Sequence, residues 1–348
     1  MDLIELLREA IQNNASDLHI AHDVPPTIRV DGDLRFLEYP PLSSDQTMRL
    51  IYSVLNDEQR TKFEIDWELD FSLEIERVGR FRSNIHRQRG AVEGAFRIVQ
   101  DQIRSIQQLG LPSIVSEFAH KDNGLIIITG PTGSGKTTTM AAMIDQINRE
   151  RRCIIVTIED PIEYVHRPKT SIIKQREIHM DTKSFGNALR HVLRQDPDVI
   201  GIGEMRDLET IQTALTAAET GHLVMATLHT PDAVQTIDRI IDVFPAHHQQ
   251  QVRIQLANTL QGVIAQQLLP VAGGGGRVVA VEILAATIAA RKIVRSAKTE
   301  QLTTLIQTSY DLGMVTMDKS LKELYTKGLI TYDSAISKCK FPEAFEAL

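Results

Sequence analysis

The sequence predicts an α/β protein in which a domain with a buried parallel β-sheet follows a smaller antiparallel α+β domain. Two observations support this prediction. From residue 124 onwards, short and fully apolar runs are separated by helical stretches, which is typical of a parallel sheet covered on both faces. Before residue 100, short strand-like segments are separated by turn signals instead, which is typical of antiparallel pairing.

Length and composition agree with two folded domains. The chain has 348 residues, of which 42% are hydrophobic and 24% are charged, and these are ordinary globular values. Its net charge of −7 argues against binding nucleic acid over its whole surface. Two cysteines, Cys153 and Cys339, exclude a disulfide framework and suit a reducing compartment. The acidic N-terminus is unlike a secretory signal, and the best apolar stretch, 278–290, is short and contains Glu282. We therefore expect a cytoplasmic protein without a transmembrane segment.

The first domain is predicted to span residues 1–100. Its clearest element is a half-buried strand at 67–75, where apolar and polar residues alternate. An amphipathic helix at 2–13 begins the domain, and Asp31-Gly32 is a hairpin signal. The other predicted elements are strands at 17–20, 27–30, 34–37, 81–89 and 91–99 and a helix at 45–55. Residues 101–112 have no strong periodicity and are predicted to form a linker.

The second domain is predicted to span residues 113–348. Its buried strands are expected at 124–129, 153–158, 199–202 and 223–228. A helix with one apolar face, formed by Leu208, Ile211, Leu215 and Ala218, is expected to end at Gly221 in a left-handed cap. The glycines at 273–276 predict a hairpin tip between strands at 263–269 and 277–283, and a helical region follows from about 287.

Residues 130–137, GPTGSGKT, match the phosphate-loop pattern GxxxxGK[ST] in full. The apolar strand before it and the helix-forming run after it are the context that this pattern requires. Such a loop wraps backbone N–H groups around phosphates, while the lysine adds a positive charge and the hydroxyl after it binds Mg²⁺. The sequence therefore predicts binding of a nucleotide with Mg²⁺ through Gly130, Pro131, Thr132, Gly133, Ser134, Gly135, Lys136, Thr137 and Thr138, and the loop alone does not determine which nucleotide is bound.

Acidic residues at the ends of neighbouring strands are candidates for the same site, because the carboxyl ends of parallel strands line the ligand crevice. Glu204 follows the strand at 199–202 on that side, whereas Asp198 precedes it on the other. Glu204 is therefore the predicted Mg²⁺ ligand, directly or through water, together with Thr137. The segment IEDPIE at 158–163 places three carboxylates after another strand, where one of them can orient the attacking water or all can form a plain acidic turn.

Two histidines bracket the strand at 223–228. His222 lies at its start and His229 at its carboxyl end, so they cannot pair on that strand. His229 is expected near the nucleotide, where it can sense the γ-phosphate, line a subunit boundary or make a structural hydrogen bond.

The motifs together resemble a known family. GPTGSGKT, IEDPIE, DPDVIGIGEMRDLET at 196–210 and TAAETGHLVMATLHT at 216–230 occur in the order seen in the secretion-superfamily hexameric ATPases. Within this superfamily, the chain is similar to the type IV pilus retraction ATPases of the PilT kind. The segments ASDLHI at 15–20 and RFRSNIHRQRG at 80–90 also fit the pattern of these ATPases. The resemblance covers nearly the whole chain.

This resemblance implies a RecA-like core preceded by a PAS-like domain, a homo-hexameric ring, and ATP hydrolysis that powers pilus retraction and twitching motility. It implies that Glu163 activates water, that His222 and His229 belong to a histidine motif, and that Arg82 and Arg97 neutralise charge from the N-terminal domain, with Arg80 a weaker candidate. It further implies a peripheral position at the inner face of the membrane. There the ring would contact a platform protein and act indirectly on pilin.

One departure from the family pattern leaves alternatives open. The segment 289–296 keeps Arg291, Ile293 and Arg295 of an AIRNLIRE-like stretch, but Lys292 and Ser296 replace its asparagine and its final glutamate. An accessory retraction ATPase therefore stays an alternative. A pilus assembly or type II secretion ATPase is another, although the zinc module usual in that group is absent from this sequence. A nucleic-acid motor is disfavoured by the acidic charge and the 5% aromatic content.

Overall fold

The computed structural model describes residues 1–30, 32–99 and 102–343, which divide into two compact units. The first unit comprises Met1–Gln102 and Pro161–Val165, and the second comprises Ile103–Asp160 and His166–Leu348. Asp31 of the predicted hairpin signal and Asp101 of the predicted linker lie outside the described residues. The domain boundaries drawn from the sequence stay a prediction.

The first unit is built on a six-stranded antiparallel sheet whose strand order is β3-β2-β1-β6-β5-β4. Its strands are β1 (Asp17–Ile20), β2 (Thr27–Val30), β3 (Asp33–Phe36), β4 (Glu68–Ile75), β5 (Gly79–Gln88) and β6 (Ala91–Ile98). Its helices are α1 (Leu3–Gln12), α2 (Ser44–Tyr52) and α3 (Asp57–Asp66). Phe81, Ile85 and Phe96 are fully buried in the core of this unit, so one face of the sheet is apolar.

Local sequence explains why α1 forms where the periodicity predicts it. The Asp2 side chain accepts a hydrogen bond from the helix backbone, and the Glu5 side chain accepts one from the backbone N–H of Asp2, which is a complete capping box. All four apolar residues of the predicted face, Leu3, Leu6, Leu7 and Ala10, are buried. The periodicity did not predict α3, because it buries only Phe63, although Asn56 and Gln59 form a capping box at its start.

The second unit contains a seven-stranded sheet in the order β13-β12-β7-β11-β10-β8-β9. Its strands are β7 (Gly124–Thr129), β8 (Ile154–Glu159), β9 (Ile172–Glu177), β10 (Val199–Ile202), β11 (Leu223–Thr227), β12 (Leu260–Pro270) and β13 (Arg277–Ala285). All neighbouring strands are parallel except β12 and β13, which form an antiparallel hairpin. Every residue of β7, β10 and β11 is buried, which confirms the predicted parallel sheet with two covered faces.

Helices complete the second unit. They are α4 (Ser113–Ala119), α5 (Lys136–Glu150), α6 (Phe185–Val192), α7 (Leu208–Glu219), α8 (Ala233–Asp242), α9 (Ala246–Thr259), α10 (Ile288–Arg295), α11 (Gln301–Thr308), α12 (Met317–Thr326) and α13 (Tyr332–Ile336). Helix α7 ends before Gly221, which has the predicted left-handed φ of 104°. Leu208 was placed wrongly on the buried face of α7. It is the first residue of the helix and is 40% exposed.

No helix in the described part of the chain is long and apolar enough to cross a lipid bilayer.

Candidate functional site

The phosphate loop joins the end of β7 to the start of α5. Gly130, Gly133 and Gly135 have φ values of 137°, 77° and 90°, a region that residues with a Cβ rarely adopt. A Cβ on Gly130 would lie 2.3 Å from the carbonyl oxygen of Gln266, so this position has room for glycine alone. A Cβ on Gly133 would meet no atom of the described residues within 4 Å, so this part of the loop is open.

Lys136 is the first residue of α5 and its side chain turns back over the loop. Its Nζ donates hydrogen bonds to the carbonyl oxygens of Gly130 at 2.8 Å and Pro131 at 3.0 Å. The ammonium group is therefore held at the N-terminus of a 15-residue helix, where the helix dipole adds to its positive charge. Thr137 follows in the first turn, and the buried hydroxyl of Ser134 has no hydrogen-bond partner among the described residues. These features fit a cradle for phosphate oxygens.

His229 contacts both Lys136 and Glu204. Its Nδ1 lies 3.5 Å from Lys136 Nζ, and its Nε2 lies 3.1 Å from Glu204 Oε1. Because the ammonium group can only donate, Nδ1 accepts and Nε2 carries the hydrogen that is donated to the carboxylate. The structure therefore brings together three residues that the sequence predicts separately.

Glu204 follows β10 and also accepts a hydrogen bond from Arg206 Nε at 2.7 Å. Partial burial raises the pKa of Glu204, but the hydrogen bonds from Arg206 and His229 and their charges outweigh this effect and lower its pKa overall. Glu204 is thereby kept as a carboxylate, the form that binds Mg²⁺.

Asp198 and His222 lie at the opposite ends of their strands, as predicted. The Asp198 carboxylate accepts a hydrogen bond from the backbone N–H of Ile154 at 2.8 Å, so it ties the start of β8 to β10. His222 Nδ1 lies 2.9 Å from the carbonyl oxygen of Ala217 in α7. Both contacts are structural.

The carboxylates of IEDPIE differ in their surroundings. Glu159 is buried at the end of β8 and accepts hydrogen bonds from Thr157 Oγ1 at 2.6 Å and Gln175 Nε2 at 3.0 Å. Asp160 is exposed. Glu163 belongs to the first unit, where its side chain is 44% exposed and lies 3.8 Å from Arg82 Nη1. Glu159 thus has a structural role, whereas Glu163 is accessible.

The predicted arginines lie on the first unit's sheet. Asp17, Arg97 and Arg82 are directly opposite one another on β1, β6 and β5. Adjacent arginines repel unless acids compensate. Arg97 Nε donates to Asp17 at 2.9 Å, and Arg80 Nη1 donates to Glu74 at 3.1 Å.

The ion pair between Asp17 and Arg97 also affects the pKa of Asp17. Burial raises the pKa of Asp17, but hydrogen bonds from Ser16 and Arg97 lower it below its usual value. Asp17 therefore stays ionised and keeps Arg97 in place, whereas the Arg82 side chain is in contact with Glu163.

Sequence reasoning missed several residues that support the loop. Gln266 of β12 donates from Nε2 to the carbonyl oxygen of Ser134 at 3.1 Å. Three threonine hydroxyls link the end of β7 to α8, with Thr129 and Thr230 2.7 Å apart and Thr230 and Thr236 also 2.7 Å apart. A signal for Gln266 was present, because two glutamines interrupt the otherwise apolar strand predicted at 263–269. The threonine chain had no local signal.

Comparison with known proteins places this geometry in a family. The sequence model of the family described as type II/IV secretion system protein matches residues 2–303. The chain belongs to the type II/IV secretion system protein family.

Within this family, full-length relatives are similar to the chain. It is 49% identical to the type IV pilus retractation ATPase PilT of Pseudomonas aeruginosa, over 99% of this chain and 100% of that protein. It is 46% identical to a twitching motility protein of Neisseria gonorrhoeae, over 98% of this chain and 91% of that protein. A solved structure, the pilus retraction motor PilT with bound ADP, superimposes with a TM-score of 0.93 at 49% identity and covers 100% of both chains. The predicted α/β fold with its helical C-terminus is confirmed, and the PAS-like assignment stays a prediction.

Proposed function

We propose that this protein is an ATPase motor that powers the retraction of type IV pili and so supports twitching motility. The similarity to a pilus retraction motor over the full length of both chains is the observation that carries the proposal. The contacts of His229 with Lys136 and Glu204 support it, because they join the phosphate loop to the predicted metal-binding acid within one unit.

ATP is the proposed substrate and Mg²⁺ the proposed cofactor. The similar motor was solved with ADP, and the loop at 130–138 has the open glycine and the helix N-terminus that phosphates require. Thr137 and Glu204 are the residues that would hold Mg²⁺, directly or through water. Once bound, the ion would supply neutralisation of phosphate charge, which is a large part of catalysis in phosphoryl transfer.

The chain's own residues are assigned to the other tasks of hydrolysis. Lys136 binds phosphate oxygens, and His229 holds the side chains of Lys136 and Glu204 in fixed positions relative to each other. Glu163 takes the proton from the attacking water, and Arg82 and Arg97 neutralise developing negative charge. The contact between Arg82 and Glu163 supports a shared role, because both side chains are more than 40% exposed and are therefore accessible to a ligand.

The assembly is proposed from the family resemblance. Six copies would form a ring in which arginines of one copy reach the nucleotide of its neighbour. The ring would lie peripherally at the inner face of the cell membrane, contact a platform protein there and act on pilin indirectly. Conformational change during ATP binding and hydrolysis would turn one copy against the next.

An accessory retraction ATPase is a second candidate, and the segment 289–296 favours it. Arg291, which keeps the family pattern, donates hydrogen bonds to the carbonyl oxygens of Ala257 at 2.7 Å and Asn258 at 2.6 Å, so it caps the end of α9. Lys292 and Ser296, which depart from the pattern, are both exposed. Arg291 is thus structural, and the two departures alter the surface.

A deletion experiment separates these functions. In the source organism, labelled pili are imaged in live cells after deletion of the gene and after complementation with wild type or Lys136→Ala. We expect pili that extend and fail to retract, with rescue by wild type alone, because Lys136→Ala removes the phosphate charge. Retraction that persists at reduced speed would support the accessory function, and complete loss of pili would indicate an assembly motor.

A further inference from the structure

The phosphate loop lies against a buried glutamine of the neighbouring strand. Gln266 is 1% exposed and belongs to β12, which pairs in parallel with β7 up to Ala265 and Thr129. Gln266 therefore comes one position beyond the last paired residues, at the level where β7 ends and the loop begins.

Gln266 contacts both ends of the loop. Its carbonyl oxygen lies so close to Gly130 that a Cβ there would be only 2.3 Å away. Its side-chain Nε2 donates to the carbonyl oxygen of Ser134 and lies 3.4 Å from the position of a Cβ on Gly135. One residue thus supports the loop at its first glycine and at the Ser134–Gly135 peptide.

The contact with Ser134 has a geometric consequence. In a trans peptide, the carbonyl group and the following N–H point in opposite directions. Because the Gln266 side chain donates to the carbonyl oxygen of Ser134, the N–H of Gly135 points away from the Gln266 amide. Backbone N–H groups at this point of a phosphate loop are the donors that bind phosphate oxygens.

We propose that Gln266 is a positioning residue that orients the Gly135 N–H for the phosphates of the nucleotide; this inference rests on the proposed ATPase function. Gln266 does not contact the reacting atoms in this assignment. It acts through the loop, by selecting one of the orientations that the Ser134–Gly135 peptide can adopt between two glycines.

Stability alone does not account for this glutamine. Its Oε1 is buried and has no hydrogen-bond partner among the described residues. A buried polar atom without a partner is unfavourable, and an apolar side chain of the same shape would avoid that cost. Methionine is similar in size and fits an apolar strand. A residue kept only for packing would therefore be replaceable by methionine without loss of function.

The test compares Gln266→Met with Gln267→Met in the full-length protein. Gln267 is the neighbouring glutamine, half-buried, and its side chain points to the other face of the sheet. Affinity is measured with fluorescent mant-ADP, hydrolysis is measured as kcat and KM for ATP, and Tm is measured by thermal unfolding.

For Gln266→Met we expect the Kd for mant-ADP and the KM to rise about two- to tenfold, the value of one lost neutral hydrogen bond. Its Tm is expected to stay close to that of wild type, because methionine removes the unpaired Oε1 but leaves the buried carbonyl oxygen of Ser134 without its donor. Gln267→Met is expected to match wild type in binding.

Two results would overturn the inference. One is a wild-type Kd in Gln266→Met, and the other is a loss of affinity that simply follows a loss of Tm in both methionine variants. Gln266→Glu is the second variant if Gln266→Met does not fold, because it keeps the shape and loses the donor. Wild-type affinity in that variant would also contradict the proposal. Failure of the wild-type protein itself to bind mant-ADP or hydrolyse ATP would instead refute the proposed function.

Discussion

His229 is the side chain that connects Lys136 and Glu204 in the site of the second unit. It accepts from an ammonium group and donates to a carboxylate, so its two ring nitrogens have different tasks. A change in the position of the lysine can thereby reach the carboxylate through one rigid ring. His229 thus lies beside the phosphate loop, which agrees with the sequence-based expectation for its position. Its role in sensing the γ-phosphate stays a proposal.

The role of Glu163 is testable by a single substitution. Glu163→Gln keeps the shape of the side chain but removes the base, so we expect ATP binding within about twofold of wild type and a loss of turnover of about 10²-fold or more. Turnover is measured as phosphate release at saturating ATP, and binding as mant-ATP fluorescence.

Asp160→Asn is the matched control for Glu163→Gln, because Asp160 is an exposed acid of the same motif. It should hydrolyse ATP at nearly the wild-type rate. Normal turnover in Glu163→Gln would show that another carboxylate, with Glu204 the first candidate, is the base.

Site residues that are contiguous in the sequence could be predicted more fully than those that are far apart in the sequence. The phosphate loop was readable because its pattern, its strand and its helix are contiguous in the sequence. Gln266 is 132 residues from its partner Ser134, and a single strand pattern carries no information on which strand becomes its neighbour. The assignments of Glu163, Arg82 and Arg97 came from family resemblance, and no local pattern distinguishes them from other exposed charges.

Secondary-structure elements were predictable where burial imposes a pattern on the sequence. The fully buried strands agree with their predictions because they are continuous apolar runs, and the amphipathic α1 agrees because its apolar residues repeat at helical spacing. Strand β9 was missed because it is an edge strand with an alternating, partly exposed pattern rich in polar residues. Helix α4 was missed because its seven residues follow Pro112 directly and have no side-chain cap.

His166 makes the stability of the second unit depend on pH. Its ring is buried, and burial lowers its pKa from 6.5 to about 4. The unfolded chain therefore binds a proton below pH 6.5 that the folded protein does not bind until about pH 4. Stability from this residue is present in full above pH 6.5 and is lost as the pH falls towards 4, by about 3 kcal/mol at most.

Replacing this histidine should flatten the pH dependence of stability. The free energy of unfolding is measured by urea denaturation between pH 7.5 and 5 for wild type, His166→Gln and the exposed control His248→Gln. We expect a smaller slope with pH in His166→Gln and an unchanged slope in His248→Gln. Equal slopes in all three proteins would mean that His166 does not carry the effect.

The overall architecture was partly predictable from the sequence. The fold class and the antiparallel hairpin at the glycine tip follow from apolar runs, turn residues and strand lengths. The strand order did not follow, since β12 lies beside β7 although four strands and five helices separate them along the chain. The assignment of Pro161–Val165 to the first unit had no local signal either, because it depends on tertiary contacts alone.

The proposed ring makes a prediction about mixed assemblies. If Arg82 serves the nucleotide of a neighbouring copy, Lys136→Ala and Arg82→Ala are each inactive alone but complement each other when mixed. In an equal random mixture, about a quarter of the sites combine an intact lysine with an intact arginine. We expect ATP hydrolysis to recover towards that fraction of the wild-type rate.

The control for this mixing experiment is Arg35→Ala in place of Arg82→Ala, because Arg35 is an exposed arginine of β3 in the same unit. It should be active alone. A mixture of Lys136→Ala and Arg82→Ala that stays as inactive as its components would show that the arginine acts within its own copy.

The distance along the chain between the phosphate loop and Gln266 also bears on how the protein is synthesised. The loop leaves the ribosome long before its support does, because 132 residues separate Ser134 from Gln266. Contacts so far apart in sequence form late and slowly, and they leave apolar strand edges exposed in the meantime. A nascent chain that ends before β12 therefore has β7 with one open edge and a loop without its support, so that full nucleotide affinity is expected only after β12 has been translated.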